Sequence, residues 1–133
     1  MKQLTQNLKT GNMELLEVSS PAMSADSVMV RTHFSLISAG TEGGKVEVAR
    51  KGYIGKAKAK PEAVKQVIDS LKTDGIASTY KKVMTKLDAP APLGYSCSGE
   101  VIEVGENISD ISVGDFVACA GDSAGQAEII TVP

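Results

Sequence analysis

Residues 92–106, PLGYSCSGEVIEVGE, set Gly94 and Gly99, the phenol of Tyr95, the hydroxyls of Ser96 and Ser98 and the thiol of Cys97 ahead of an apolar alternating run. Such a group could donate protons or hydrogen bonds from a pocket wall, or it could be only a tight corner in a small barrel. A second candidate is SAGTEGG, residues 38–44, where three glycines in five positions favour positive φ and close backbone approach. As a phosphate loop it is incomplete, because it opens no clear helix and no βαβ unit with a ribose-binding acid follows. The one histidine, His33, falls in the middle of a strand pattern, where packing or surface exposure fits better than metal ligation. The two cysteines, Cys97 and Cys119, are too few and too far apart for a disulfide framework or a zinc ribbon, and read as small buried hydrophobes.

The elements that would position these groups must come from a chain of 133 residues, enough for one domain with a core of its own. Hydrophobic residues make up 42% and charged residues 23%, which excludes wholesale disorder. Aromatics are 4% with no Trp, so Val, Ile, Leu and Ala must fill the core. No apolar run approaches the roughly 20 residues of a membrane span, and the polar start MKQLTQNLKTGN carries no signal-peptide apolar region. A cytoplasmic protein is expected, with no membrane partner.

Charge is uneven. Lys45 to Asp88 holds eleven basic and five acidic residues, a balance of +6, against three basic and eleven acidic, or −8, in the rest. The middle is therefore a distinct segment, read as an insertion over 45–90. Lysines not interleaved with aromatics, in a chain of pI about 5.4, argue against nucleic-acid binding.

Runs at 2–8 and 13–18 joined by KTGN predict a hairpin, and SVMVRTHFSLIS at 27–38 predicts a long strand. Then the period changes. Pro61 suits a first helical turn, and Val64, Val67, Ile68 and Leu71 recur at helical spacing before Gly75. Ile76, Tyr80, Val83, Met84 and Leu87 repeat the pattern, so 61–87 predicts a helical hairpin ended by DAPAP. Strands are expected again in CSGEVIEV, FVACA and QAEIITV. The expected fold class is mainly β with α (α+β). The basic hairpin is either a solvated pair of helices over one flank, or a lid presenting Lys56, Lys58 and Lys60 to an anionic substrate such as a nucleotide-sugar diphosphate.

The order Val104-Gly105, Ile108, Val113-Gly114-Asp115 and Val117, together with VMVRTHFSLISAGTE, resembles the GroES-like N-terminal domain of the medium-chain dehydrogenase/reductases, the alcohol dehydrogenase superfamily. The two blocks cover about half the chain. SLISAGTE, the long basic insertion and PLGYSCSG further resemble a bacterial subgroup that joins such a barrel and a nucleotide-binding domain to a sugar-dehydrogenase-like domain. The resemblance implies a partly open β-barrel over residues 1–133, with the nucleotide-binding Rossmann domain absent from this chain.

In zinc-dependent members of that family a Cys precedes the Gly-Thr-acid corner and Gly-His-Glu opens the later strand. Here those positions hold Ala39, Tyr95 and Ser96, and the four-cysteine structural-zinc lobe is missing, so the expectation is that no zinc is bound. What the resemblance then implies is the substrate-side domain of a zinc-independent NAD- or NADP-dependent oxidoreductase acting on a carbonyl or C=C of a small molecule. Thr41 and Tyr95 become the candidate catalytic residues, as substrate contacts and proton donors; Glu42 and Ser96 complete the substrate-binding set. The cofactor would be bound by a domain not in this chain, and the fragment alone would be inactive. Homodimerisation, common in the superfamily, runs largely through that other half. The alternative is a non-catalytic GroES-like barrel serving as a binding or assembly module.

Overall fold

The computed structural model describes all 133 residues except the side chains of Thr41, Lys45 and Tyr53. The strands are β1 (Lys2–Asn7), β2 (Met13–Glu17), β3 (Val28–Ser35), β4 (Pro90–Pro92), β5 (Ser96–Val104), β6 (Phe116–Ala120) and β7 (Ile129–Val132). Between β3 and β4 run four helices, α1 (Ala39–Arg50), α2 (Tyr53–Ala59), α3 (Pro61–Asp74) and α4 (Ile76–Asp88). The strands form two antiparallel sheets, ordered β2-β1-β4 and β6-β5-β3-β7, that do not close into a full barrel. The α+β expectation is met.

The chain divides into two compact units. The first comprises Met1–Thr5, Glu14–Ser38 and Pro92–Pro133 and holds the main core. Val28 and Val30 on β3, Cys97 and Val101 on β5, Cys119 on β6 and Ile130 near the chain end pack there with Ala124 and Ala127. Alternation explains it: Cys97, Gly99 and Val101 point inward, while Ser98 and Glu100 lie on the other face. Gly99 pairs with Thr32, and any side chain at that position would run into the Arg31 carbonyl, so the closest approach of β3 to β5 requires glycine. On the outer face Glu100 lies 3.7 Å from Arg31 and 3.9 Å from His33, whose ring meets Phe116 edge-on at 5.5 Å. His33 is thus a surface residue. The first residues of β1 are tied to the segment just before β7 through Leu4 N–H to Gln126 C=O at 2.9 Å and Glu128 N–H to Lys2 C=O at 3.0 Å.

The second unit comprises Gln6–Met13 and Ala39–Ala91. Its helical hairpin falls where the periodicity places it: Pro61 opens α3, and Gly75, at φ 79°, separates α3 from α4. The helices are held mainly by their own contact, since α3 buries no residue fully and α4 buries only Thr79. Within this unit the β1–β2 turn is fastened to the helices by Lys9 Nζ to Asp88 at 3.1 Å and Lys56 Nζ to the Lys9 carbonyl at 2.9 Å, and is braced internally by the Gln6 side-chain amide on the Gly11 carbonyl at 3.0 Å.

Two expectations need correction. The glycine-rich corner does open a helix, α1, which runs twelve residues from Ala39 despite Gly40, Gly43 and Gly44. Each interior glycine costs about 1 kcal/mol against alanine; Glu42 in the first turn, Arg50 in the last and the Glu47–Lys51 pair at 3.2 Å offset part of that. The helical segment is accordingly longer than the hairpin alone, and DAPAP carries the short strand β4 rather than only a break. Among the described residues no helix is long and apolar enough to cross a membrane.

Candidate functional site

In the first unit, β3 and β5 bring the end of one strand beside the start of the next. Leu36 N–H donates to the Ser96 carbonyl at 3.0 Å, and the Ser35 hydroxyl reaches the same oxygen at 3.4 Å. The turn before Ser96 is built on Gly94, at φ 94°. A Cβ there would sit 2.6 Å from the Gln126 backbone nitrogen, which already donates to the Leu93 carbonyl at 2.7 Å. Leu93 is buried, and its own N–H donates to Leu4 at 3.1 Å. On the other side Gly121 N–H donates to the Tyr95 carbonyl at 2.8 Å. The backbone of Tyr95 is therefore held from both flanks.

Tyr95 and Ser96 share this turn, both half-buried. Among the described residues the Tyr95 phenol has no hydrogen-bond partner, so its proton is not committed to a backbone carbonyl. Glu42 lies in the second unit, buried in the first turn of α1, where the helix N-terminus favours a carboxylate. Ala39, the first residue of that helix, is exposed. Thr41 falls in the same unit, and its side chain lies outside the described residues. Of the lysines proposed for a lid, Lys56 is engaged with the Lys9 carbonyl, while Lys58 and Lys60 are exposed.

One feature at this end of the sheet escaped the sequence reading. Cys97 and Cys119 are register partners across β5 and β6, both buried and both free thiols. Burial pushes each thiol above its ordinary pKa, and the neighbouring Cys97 adds to it at Cys119. The signal was present in CSGEVIEV and FVACA, but the irregular eleven-residue step between them hides the register. Cys119 also lines an open cavity of about 560 Å³ with Val28, Ile111, Val117, Val132 and Pro133, and neither Tyr95 nor Ser96 lines it.

The fold as a whole is similar to that of solved oxidoreductase structures. The quinone oxidoreductase from Coxiella burnetii superposes with a TM-score of 0.61 at 20% identity, covering 99% of this chain and 34% of its own. Escherichia coli quinone oxidoreductase complexed with NADPH gives 0.61 at 13%, covering 99% and 31%. Galactitol-1-phosphate dehydrogenase from Escherichia coli gives 0.59 at 18%, covering 99% and 36%. At such identity these likenesses establish the fold, and the chain spans about a third of the length of each.

The sequence itself settles the family. Residues 66–132 match the model of the alcohol dehydrogenase GroES-like domain, and the chain belongs to that family. No curated protein sequence matches it.

Proposed function

We propose that this chain is the substrate-side domain of an NAD(P)-dependent oxidoreductase that moves a hydride between a nicotinamide and a carbonyl or conjugated C=C without zinc. The observation that carries the reading is the turn at Gly94-Tyr95-Ser96: its backbone is fixed on both sides, and it offers a half-buried phenol with an uncommitted proton. As hydride adds to a carbonyl or enone, negative charge grows on oxygen and must be met by a donor or an acid. Tyr95 supplies the proton or hydrogen bond in this reading, with Ser96 beside it as a substrate contact; Thr41 and Glu42, on α1 of the second unit, are the further substrate contacts proposed. The donor set supports independence from zinc, since Ala39 offers no ligand atom and Ser96 and a neutral phenol are poor ones.

The nicotinamide in this proposal is bound by a further domain of a longer protein, which fits the one-third share of each solved neighbour that this chain spans. The assembled protein is a cytoplasmic homodimer with a small-molecule substrate and no nucleic-acid or membrane partner. The test is NADH and NADPH oxidation by the longer protein over a panel of aldehydes, ketones and enones. Turnover of any of them supports the proposal. Failure to bind either nicotinamide refutes it and favours a binding or assembly module.

A further inference from the structure

Cys97 and Cys119 face each other across two adjacent antiparallel strands. The ladder fixes the kind of pair they form. Gly121 N–H donates to Tyr95 and Val101 N–H to Asp115, each at 2.8 Å. Bonded pairs recur every second residue in such a ladder. Cys97–Cys119 lies two residues from the first of these bonds and four from the second, so it is itself a bonded pair. Cα atoms in such pairs are about 5.5 Å apart, inside the range disulfides span.

We propose that Cys97 and Cys119 form a reversible intramolecular disulfide when the protein meets a peroxide, fastening the strand that leaves the Tyr95–Ser96 turn to β6. The inference stands independently of the oxidoreductase reading.

Three observations carry it. The register sets the two cysteines directly opposite one another, and neither is consumed by another bridge. Cys119 is among the residues that line the open cavity, so a small oxidant entering there meets this residue and not Cys97. The neighbours Ser96, Ser98, Gly99, Ala118 and Ala120 are small, so the strands can close the roughly 1 Å by which cross-strand Cβ atoms of a bonded pair exceed a relaxed disulfide. That residual strain makes the bond easy to reduce again.

The chemistry balances as two steps. Peroxide oxygen transfers to Cys119 sulfur, giving a sulfenic acid and one water. Cys97 sulfur then attacks the Cys119 sulfur; the S–S bond forms, the S–O bond breaks, and the departing hydroxide takes the Cys97 proton as a second water. Two electrons pass from the dithiol to the peroxide. Both thiols are buried, so the reaction is slow with bulky reagents and selective for small ones.

The experiment treats the full chain with excess hydrogen peroxide, denatures it, alkylates with iodoacetamide and maps the peptides. No Lys or Arg follows Lys86, whereas Glu100, Glu103 and Glu106 separate the two cysteines, so glutamyl endopeptidase is the protease to use. The expected result is a complete loss of alkylation at both positions, with Cys97- and Cys119-bearing peptides joined until dithiothreitol is added. Cys97→Ser is expected to abolish the joined species and leave Cys119 to oxidise further. Unchanged alkylation of both cysteines overturns the proposal. So do separate sulfinic or sulfonic acids, or joining only between different molecules; the wild-type map decides even if the variant folds poorly.

Discussion

At Tyr95 a single hydroxyl separates two accounts of the turn. If the phenol delivers a proton or hydrogen bond to the developing oxyanion, Tyr95→Phe in the longer protein is expected to lower kcat by roughly a hundredfold or more with little change in KM. If the ring only packs, both constants stay within a factor of about two; steady-state kinetics distinguish the cases. The preceding residue makes the complementary point. Gly94 combines φ 94° with a neighbour 2.6 Å from any added Cβ, so Gly94→Ala should destabilise the fold by about 2–4 kcal/mol, read by urea denaturation. The buried thiols set a pH dependence. Their raised pKa values mean the folded state holds its thiol protons longer than the unfolded chain does. The associated stability is fully present below the ordinary thiol value and is lost as pH rises through the folded one. The melting temperature should therefore fall at alkaline pH, and less so in Cys97→Ser if that variant folds.

Among the elements, the strands and the helical hairpin were legible because their period is strong. Val64, Val67, Ile68 and Leu71 are spaced as a helix must space them, and α3 occupies that segment. The glycine-rich stretch at 38–44 misled because local propensity argues against a helix, while end charges and context allow one. That conflict is measurable. Gly43 lies within α1, is not at positive φ, and has nothing near its missing Cβ. Gly43→Ala should then stabilise the chain by about 0.5–1 kcal/mol, visible as a higher melting temperature; a loss would show that the glycine is kept for its backbone freedom. The Cys97–Cys119 pairing was not legible for a different reason. Register is a tertiary property, set here by which face of β5 is buried and by the turn at Gly114, at φ 95°.

For the whole molecule, the charge split seen in the sequence corresponds to a structural division, because the basic stretch 45–88 lies wholly within the second unit. Family and fold follow from patterns any such chain must carry: a Val-Gly turn, a Gly-Asp corner, and alternation in β3 and β5. The site is less legible. Motif order nominates Tyr95 and Ser96 as candidates, but only the backbone bonds from Leu36 and Gly121 show how that turn is held. The central claim is hydride transfer that relies on protein hydrogen-bond donors in place of a metal ion. Its most direct test is the rate of NAD(P)H oxidation by the longer protein before and after exhaustive chelation. An unchanged rate is predicted; activity that disappears and returns on adding zinc would contradict it.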